Sequence, residues 1–277
     1  GNMPALVTPL TPDLKVDRDA IDRLVDHVLA GGVHGVVVLG SSGEFQSIDW
    51  DQRSLAISTV VEACGGRVPV LAGAGLPNLK ATIDQIKAAE DAGADGCLVT
   101  PPYYFPIDQD AIVAWFERLV AATSLPILYY HFPRMTKLMA EPDTVVRMRE
   151  AGLAGIKDSG GLTTYLQQVL LRLADDPGFR VMVGGDNHFL AALVHGADGT
   201  IGLPPNVVPE IGSRLFEAYA SGDMDTASDM QRRAVEFVNA LMPGGGNGQS
   251  VAKAALEKLG ICGRTVAPPM RTLSESE

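Results

Sequence analysis

The stretch "DAGADGCLVT", residues 91 to 100, passes from a charged helical end through a glycine into a short apolar run and stops at a threonine. A glycine just past a last helical turn takes the left-handed conformation without a Cβ penalty, so Gly93 reads as a helix terminator. Residues 96–99 then read as a strand. The same phrase returns as "AGGVHG" at 30–35, "EAGLAG" at 150–155 and "VHGADG" at 194–199, each time ahead of an apolar run. The order helix end, glycine, strand is therefore a repeating unit.

Working outward, apolar runs bounded by Gly and Pro predict strands at 5–7, 35–39, 68–72, 96–99, 126–130, 155–157, 180–183 and 199–201. Between them, helical spacing covers 19–30, 49–63, 79–92, 108–122, 142–151, 163–174 and 189–195. The strands are rich in Val, Ile and Leu and do not alternate with polar residues, as expected of a parallel sheet covered on both faces. Eight such units in about 200 residues predict a closed (β/α)₈ barrel, the TIM barrel, in preference to an open doubly wound sheet. "GAG" at 73–75 lacks the third glycine of a dinucleotide-binding turn. Further helices are expected at 209–220, 223–241 and 250–259, with "PGGGNGQ" at 243–249 as a loop. The expected division is a barrel over 1–222 and a C-terminal helical extension over 223–277 packed on it.

The chain has 277 residues, 46% hydrophobic and 20% charged, with a formal net charge of −11. That acidity argues against a non-specific nucleic-acid or anionic-membrane surface. The three cysteines are far apart and form no C-x-x-C pair, so neither a disulfide framework nor a zinc site is expected, and a reducing cytosol fits best. No apolar run approaches the length of a membrane span, and no signal peptide is expected. Gly1 and Asn2, ahead of Met3, read as a remnant.

In such a barrel the chemistry sits at the C-terminal ends of the strands. "LAGIKDS" puts Lys157 at the end of an apolar strand, where desolvation would disfavour the ammonium form and leave a nucleophilic amine able to form a Schiff base with a ketone. A solvated lysine at a strand edge is the plainer reading. Tyr130, ending the preceding strand, is either a proton shuttle or a packed aromatic. Ser41 and Ser42 in "VLGSSGEF" either cradle a carboxylate with their loop amides or bond their own turn. Asp158 and Asp186 suggest a metal pair only in isolation, and Asp158 reads as capping the loop after Lys157. The histidines at 27 and 34, and at 188 and 195, read as helix-surface residues, so no metal and no cofactor is expected.

With "GSSGEF", "TPPYYFP", "YHFPRMT" and "GIKDSGG" in order, together with "GGDNHFLAALVHGADGTIG" and "VAKAALEKLGI", nearly the whole chain resembles the dihydrodipicolinate synthase and N-acetylneuraminate lyase family of pyruvate-dependent class I aldolases. The resemblance implies that Lys157 forms the Schiff base and Tyr130 relays protons. It implies that Ser42 holds the pyruvate carboxylate and that Ser41 links Tyr130 to Tyr103, which in the family reaches into a neighbouring subunit's site. Gly185 and Ile201 match positions lining the pyruvate end of the pocket. A homo-oligomer, a dimer of dimers, follows from the same resemblance.

The family's synthases usually read Y-N-x-P-G-R-T, with the arginine gripping the carboxylate of aspartate semialdehyde. Here Met135 takes the arginine's place, Arg134 stands one residue early, and His131 replaces the asparagine. Arg134 and His131 are therefore candidates for the far end of the substrate, His131 alternatively being a structural histidine. The leading expectation is cleavage of a 2-keto-3-deoxy sugar acid or a 4-hydroxy-2-oxoglutarate-type acid to pyruvate and an aldehyde. The synthase condensation, a keto-deoxy acid dehydratase, and a non-catalytic sugar-acid-binding barrel are the alternatives.

Overall fold

The computed structural model describes residues 1–241 and 248–277. Eight parallel strands run in the order β1-β8-β7-β6-β5-β4-β3-β2. They are β1 (Asn2–Pro4), β2 (Val36–Val38), β3 (Val70–Ala74), β4 (Gly96–Val99), β5 (Ile127–His131), β6 (Gly155–Asp158), β7 (Arg180–Val183) and β8 (Gly199–Gly202). A parallel bridge between Ala5 and Val37, with Leu6 N donating to the Val37 carbonyl at 2.8 Å, closes the ring between β1 and β2. The expected (β/α)₈ barrel is thus the observed one.

The helices are α1 (Arg18–Ala30), α2 (Trp50–Cys64), α3 (Leu79–Asp91), α4 (Gln109–Val120), a one-turn α5 (Pro133–Thr136), α6 (Pro142–Glu150), α7 (Thr163–Arg172), α8 (Phe189–Val194) and α9 (Pro209–Ser221). The extension contributes α10 (Met224–Leu241) and α11 (Gly248–Lys258). Side-chain caps start several of them: Asp17, Asn78 and Asp108 accept from Ala20 N, Ala81 N and Ala111 N. At the other ends, Gly32, Gly93, Gly152 and Gly196 of the recurring phrase have φ of 76°, 83°, 103° and 102°. These are backbone conformations that a side chain disfavours, so the repeated glycine is what turns each helix back into a strand.

Two apolar cores result. The barrel interior is filled by Met3, Ala5, Val37, Leu98, Leu128, Tyr130, Met182 and Ile201. A larger outer core packs the helices on the sheet and includes Ile127, Tyr129, Ile156 and Val183. Successive strand residues point to opposite faces, so Leu128 and Tyr130 turn inward while Tyr129 and His131 turn toward the helices.

β1 differs from expectation. The strand is Asn2–Pro4, not 5–7, and Asn2 is buried with its amide donating to the Pro209 carbonyl and Ser213 Oγ. Asn2 is therefore an integral part of the barrel floor at β1. The apolar run that suggested a strand only continues β1, with Ala5 N donating to the Gly202 carbonyl and Leu6 N to the Val37 carbonyl, and Asn206 then holds it by accepting from Val7 N and donating to the Ala5 carbonyl. Of the loop expected at 243–249, residues 243–247 lie outside the described residues. No helix is long and apolar enough to cross a membrane, among the described residues.

Candidate active site

Register places the site. Tyr130 pairs with Lys157 across β5 and β6, and Lys157 pairs with Met182 on β7. Both side chains belong to the inward set, at the last inward position before the strands open into loops. Lys157 is 5% exposed and Tyr130 4%. The Lys157 nitrogen Nζ lies 4.3 Å from the centroid of the Tyr130 ring. The lysine is therefore not the solvated strand-edge residue of the plainer reading.

One glycine makes room for it. A Cβ on Gly184 would fall 3.0 Å from Lys157 Cε and 1.8 Å from Ser159 Oγ, so the backbone after β7 approaches the lysine as only glycine permits. Gly185, the neighbour singled out by sequence, crowds His188 and Asn187 instead. Ile201, buried on β8, lies in the interior cluster with Tyr130 and Met182.

The loop after β2 brings the serines in. Ser41–Gly43 forms a 3₁₀ turn, and Ser41 Oγ reaches the Tyr130 hydroxyl at 3.4 Å, a long contact. Ser42 is half-buried on the same turn. Glu44, which closes it, is wholly buried and pairs with Lys253 of α11, with Nζ and Oε1 2.6 Å apart. Glu44 and Lys253 are not among the residues the sequence singles out; the only local hint is an acid directly after a glycine turn.

Tyr103 does not meet Ser41 within the chain. It lies half-buried near Arg53, whose guanidinium is lowered by burial while Tyr103 and Asp49 oppose the shift. Beyond it Tyr104, with φ of 95°, and Phe105 stand exposed with their rings edge to face.

His131 takes the place expected of a structural histidine, the alternative reading of the sequence. It faces the helical layer, fully buried, with Nδ1 2.8 Å from Asp158 Oδ1 and its ring stacked on Tyr165 at 4.3 Å. Strand alternation explains this, because an inward Tyr130 forces the next residue outward. Asp158 also accepts from Gly160 N at 2.8 Å, the capping role expected of it. Arg134, exposed on α5, holds its guanidinium 5.6 Å from the Phe132 ring, and Phe132 stacks in turn on Tyr130. Met135 is exposed beside it.

Asp186 sits at the floor of the β7 loop, buried so tightly that a Cβ on Gly202 would meet its Oδ2 at 1.9 Å. Burial pushes its carboxyl up to about 6, against the pull of nearby Lys157. Asp158 and Asp186 thus have separate surroundings, and no group of three metal-ligating side chains occurs among the described residues.

An amine packed on a phenol, a hydroxyl beside that phenol and a close glycine backbone thus meet at the C-terminal ends of the barrel strands. The profile of the Dihydrodipicolinate synthetase family matches residues 1–277. The 4-hydroxy-tetrahydrodipicolinate synthase 1 of Streptomyces coelicolor is 36% identical over 97% of this chain and 87% of its own. The 4-hydroxy-tetrahydrodipicolinate synthase of Hyphomonas neptunium is 34% identical over 98% of this chain and 92% of its own. Among solved structures, dihydrodipicolinate synthase from Bacteroides thetaiotaomicron superposes with a TM-score of 0.95 at 32% identity, covering 100% of this chain and 94% of that one. YagE, a prophage protein from E. coli K12 of the same family solved with pyruvate, gives 0.94 at 28% identity with the same coverage. The chain belongs to the dihydrodipicolinate synthetase family, as an enzyme of the lyase type.

Proposed function

We propose that the protein is a Schiff-base-forming carbon–carbon lyase that uses Lys157 to bind a 2-oxo acid. The carrying observation is the buried Lys157 amine, with Nζ 4.3 Å from the Tyr130 ring centroid. The amine adds to the C2 carbonyl, and loss of water leaves a protonated imine. As the C4 hydroxyl gives up its proton through Tyr130, the C3–C4 bond breaks, its electron pair moves into the iminium and an aldehyde departs. The enamine then takes a proton at C3, and water releases pyruvate and regenerates the amine. Ser42 and the turn amides hold the carboxylate, Ser41 carries the proton link to Tyr130, and Gly185 and Ile201 border the pyruvate end. Tyr103 of a second copy completes the relay, which makes the active unit a homo-oligomer, a dimer of dimers.

For the far end of the substrate, the exposed Met135 and an Arg134 resting on Phe132 support cleavage of a neutral-tailed 2-keto-3-deoxy acid, ahead of a 4-hydroxy-2-oxoglutarate-type acid whose far carboxylate needs a cationic partner. The second reading, condensation of pyruvate with aspartate semialdehyde, is favoured by the names of the curated relatives. One experiment addresses the shared chemistry and another the choice. Borohydride reduction with pyruvate is expected to add one pyruvyl group by intact mass, and Lys157→Ala to abolish it; an undiminished adduct in the variant would overturn the mechanism. Pyruvate release from a panel of keto-deoxy acids, set against consumption of aspartate semialdehyde, separates the two readings.

A further inference from the structure

The turn that carries Ser41 and Ser42 is gripped at both ends by the C-terminal extension, and neither grip is needed to close the barrel. At its start, Gln249 Nε2 of α11 donates to the Ser41 carbonyl at 3.1 Å. At its end, Glu44 is completely enclosed: Lys253 Nζ lies 2.6 Å from Oε1, and Ala267 N donates to Oε2 at 2.6 Å. Lys253 is equally enclosed and spends a further donor on the Thr265 carbonyl at 2.7 Å. The turn's underside is fixed from the barrel by Thr8 Oγ1, which donates to the Gly43 carbonyl at 2.8 Å.

The backbone itself shows that the turn is held and not merely allowed. Leu39 and Glu44, on either side of it, have φ of 56° and 61°. Residues with a Cβ stay in that region only when their surroundings over-determine them, and such positions cluster where a ligand is clamped. A buried ion pair is also a poor choice for stability alone, because desolvating two charges offsets most of their attraction. Its directional effect on the turn is what it adds.

We infer that Lys253 and Gln249 are positioning residues: through the buried Glu44 pair and the Ser41 carbonyl, the C-terminal extension aims the 38–45 turn so that its hydroxyls and amides receive the carboxylate of a 2-oxo acid. The inference rests on the Schiff-base reading above. The extension is then part of the binding apparatus, although none of its side chains is required to touch substrate.

The consequence is selective. Loosening the turn weakens capture of the carboxylate and leaves the Lys157 amine able to add to a ketone that lacks one. The probes are pyruvate and its uncharged methyl ester, each titrated in borohydride trapping on the full chain and read by intact mass. Lys253→Met is expected to raise the pyruvate concentration for half-maximal trapping about tenfold or more, the scale of effect of small misplacements in a site. The methyl ester's concentration dependence stays within about twofold. Gln249→Ala removes the hydrogen bond to the Ser41 carbonyl without stranding a charge and is expected to act in the same direction by about threefold, which keeps the test alive where Lys253→Met does not fold. Equal weakening of both probes, or an unmoved pyruvate titration in a folded variant, overturns the inference. Absence of any adduct on the unaltered protein overturns the Schiff-base reading instead, so the two failures are distinct.

Discussion

Asp186 shows how much a single residue can cost beside a buried lysine. Its side chain lies against Gly202 with Lys157 nearby, and burial raises its carboxyl from 3.8 to about 6. The native state therefore binds this proton more tightly than the unfolded chain does. The resulting stability is fully present below about pH 4 and is lost as pH rises through 6, a loss on the order of 3 kcal/mol at neutral pH. Replacing the carboxyl by an amide removes the penalty. Asp186→Asn is expected to raise the urea-unfolding free energy at pH 7 by up to ~3 kcal/mol and to leave it nearly unchanged at pH 4. A variant with the same increment at both pH values would mean that packing, not ionisation, governs the site.

At the scale of elements, the relation between β5 and β6 decides whether Lys157 meets Tyr130. One step past that pair, His131 and Asp158 are register partners on the outward face, joined at 2.8 Å. Stranding one member of a buried pair commonly costs several kcal/mol. His131→Ala is therefore expected to lower unfolding free energy by ~3 kcal/mol, and His131→Asn, which keeps a donor for Asp158, by about 1 kcal/mol. Equal losses in denaturant melts would assign the role to ring stacking on Tyr165. This pair also marks the limit of what the chain discloses locally. Seven strands are legible because both of their faces are apolar and a glycine phrase precedes several of them. β1 is displaced because its buried polar residue, Asn2, is satisfied by Pro209 and Ser213, far along the chain. His131 is legible in principle, since alternation from an inward Tyr130 turns it away from the pocket. Lys157, Tyr130 and Ser41 come together as strand ends predict. The preference for Gly184 over Gly185 beside Lys157 depends on loop conformation, and the Glu44 to Lys253 pair joins distant segments that no local pattern connects.

For the whole molecule, the question is whether barrel and extension unfold as one body. The ties between them are spread around the barrel. Gln231 of α10 accepts from Leu190 N and donates to the Asp186 carbonyl, Arg23 of α1 donates to the Ile261 carbonyl, and Lys253 pairs with Glu44. Each joins an element of the extension to a different part of the barrel, so losing the extension would strand polar groups at several of its loops. Three buried thiols report on this independently: Cys64 on α2, Cys97 on β4 and Cys262 after α11. Burial pushes them up to about 11, 12 and 11, so the folded protein presents almost no thiolate at pH 8. Ellman's reagent is expected to label none of them in the native state. Across a urea series, all three are expected to become reactive at one midpoint that coincides with loss of helical circular dichroism, the signature of a single cooperative unit. Labelling of Cys262 at a lower urea concentration than Cys97 would instead divide the chain near residue 223 into two separately stable parts. The grip of α11 on the Ser41 turn would then be a docking equilibrium in its own right, and 2-oxo acid binding would shift the Cys262 midpoint before that of Cys97.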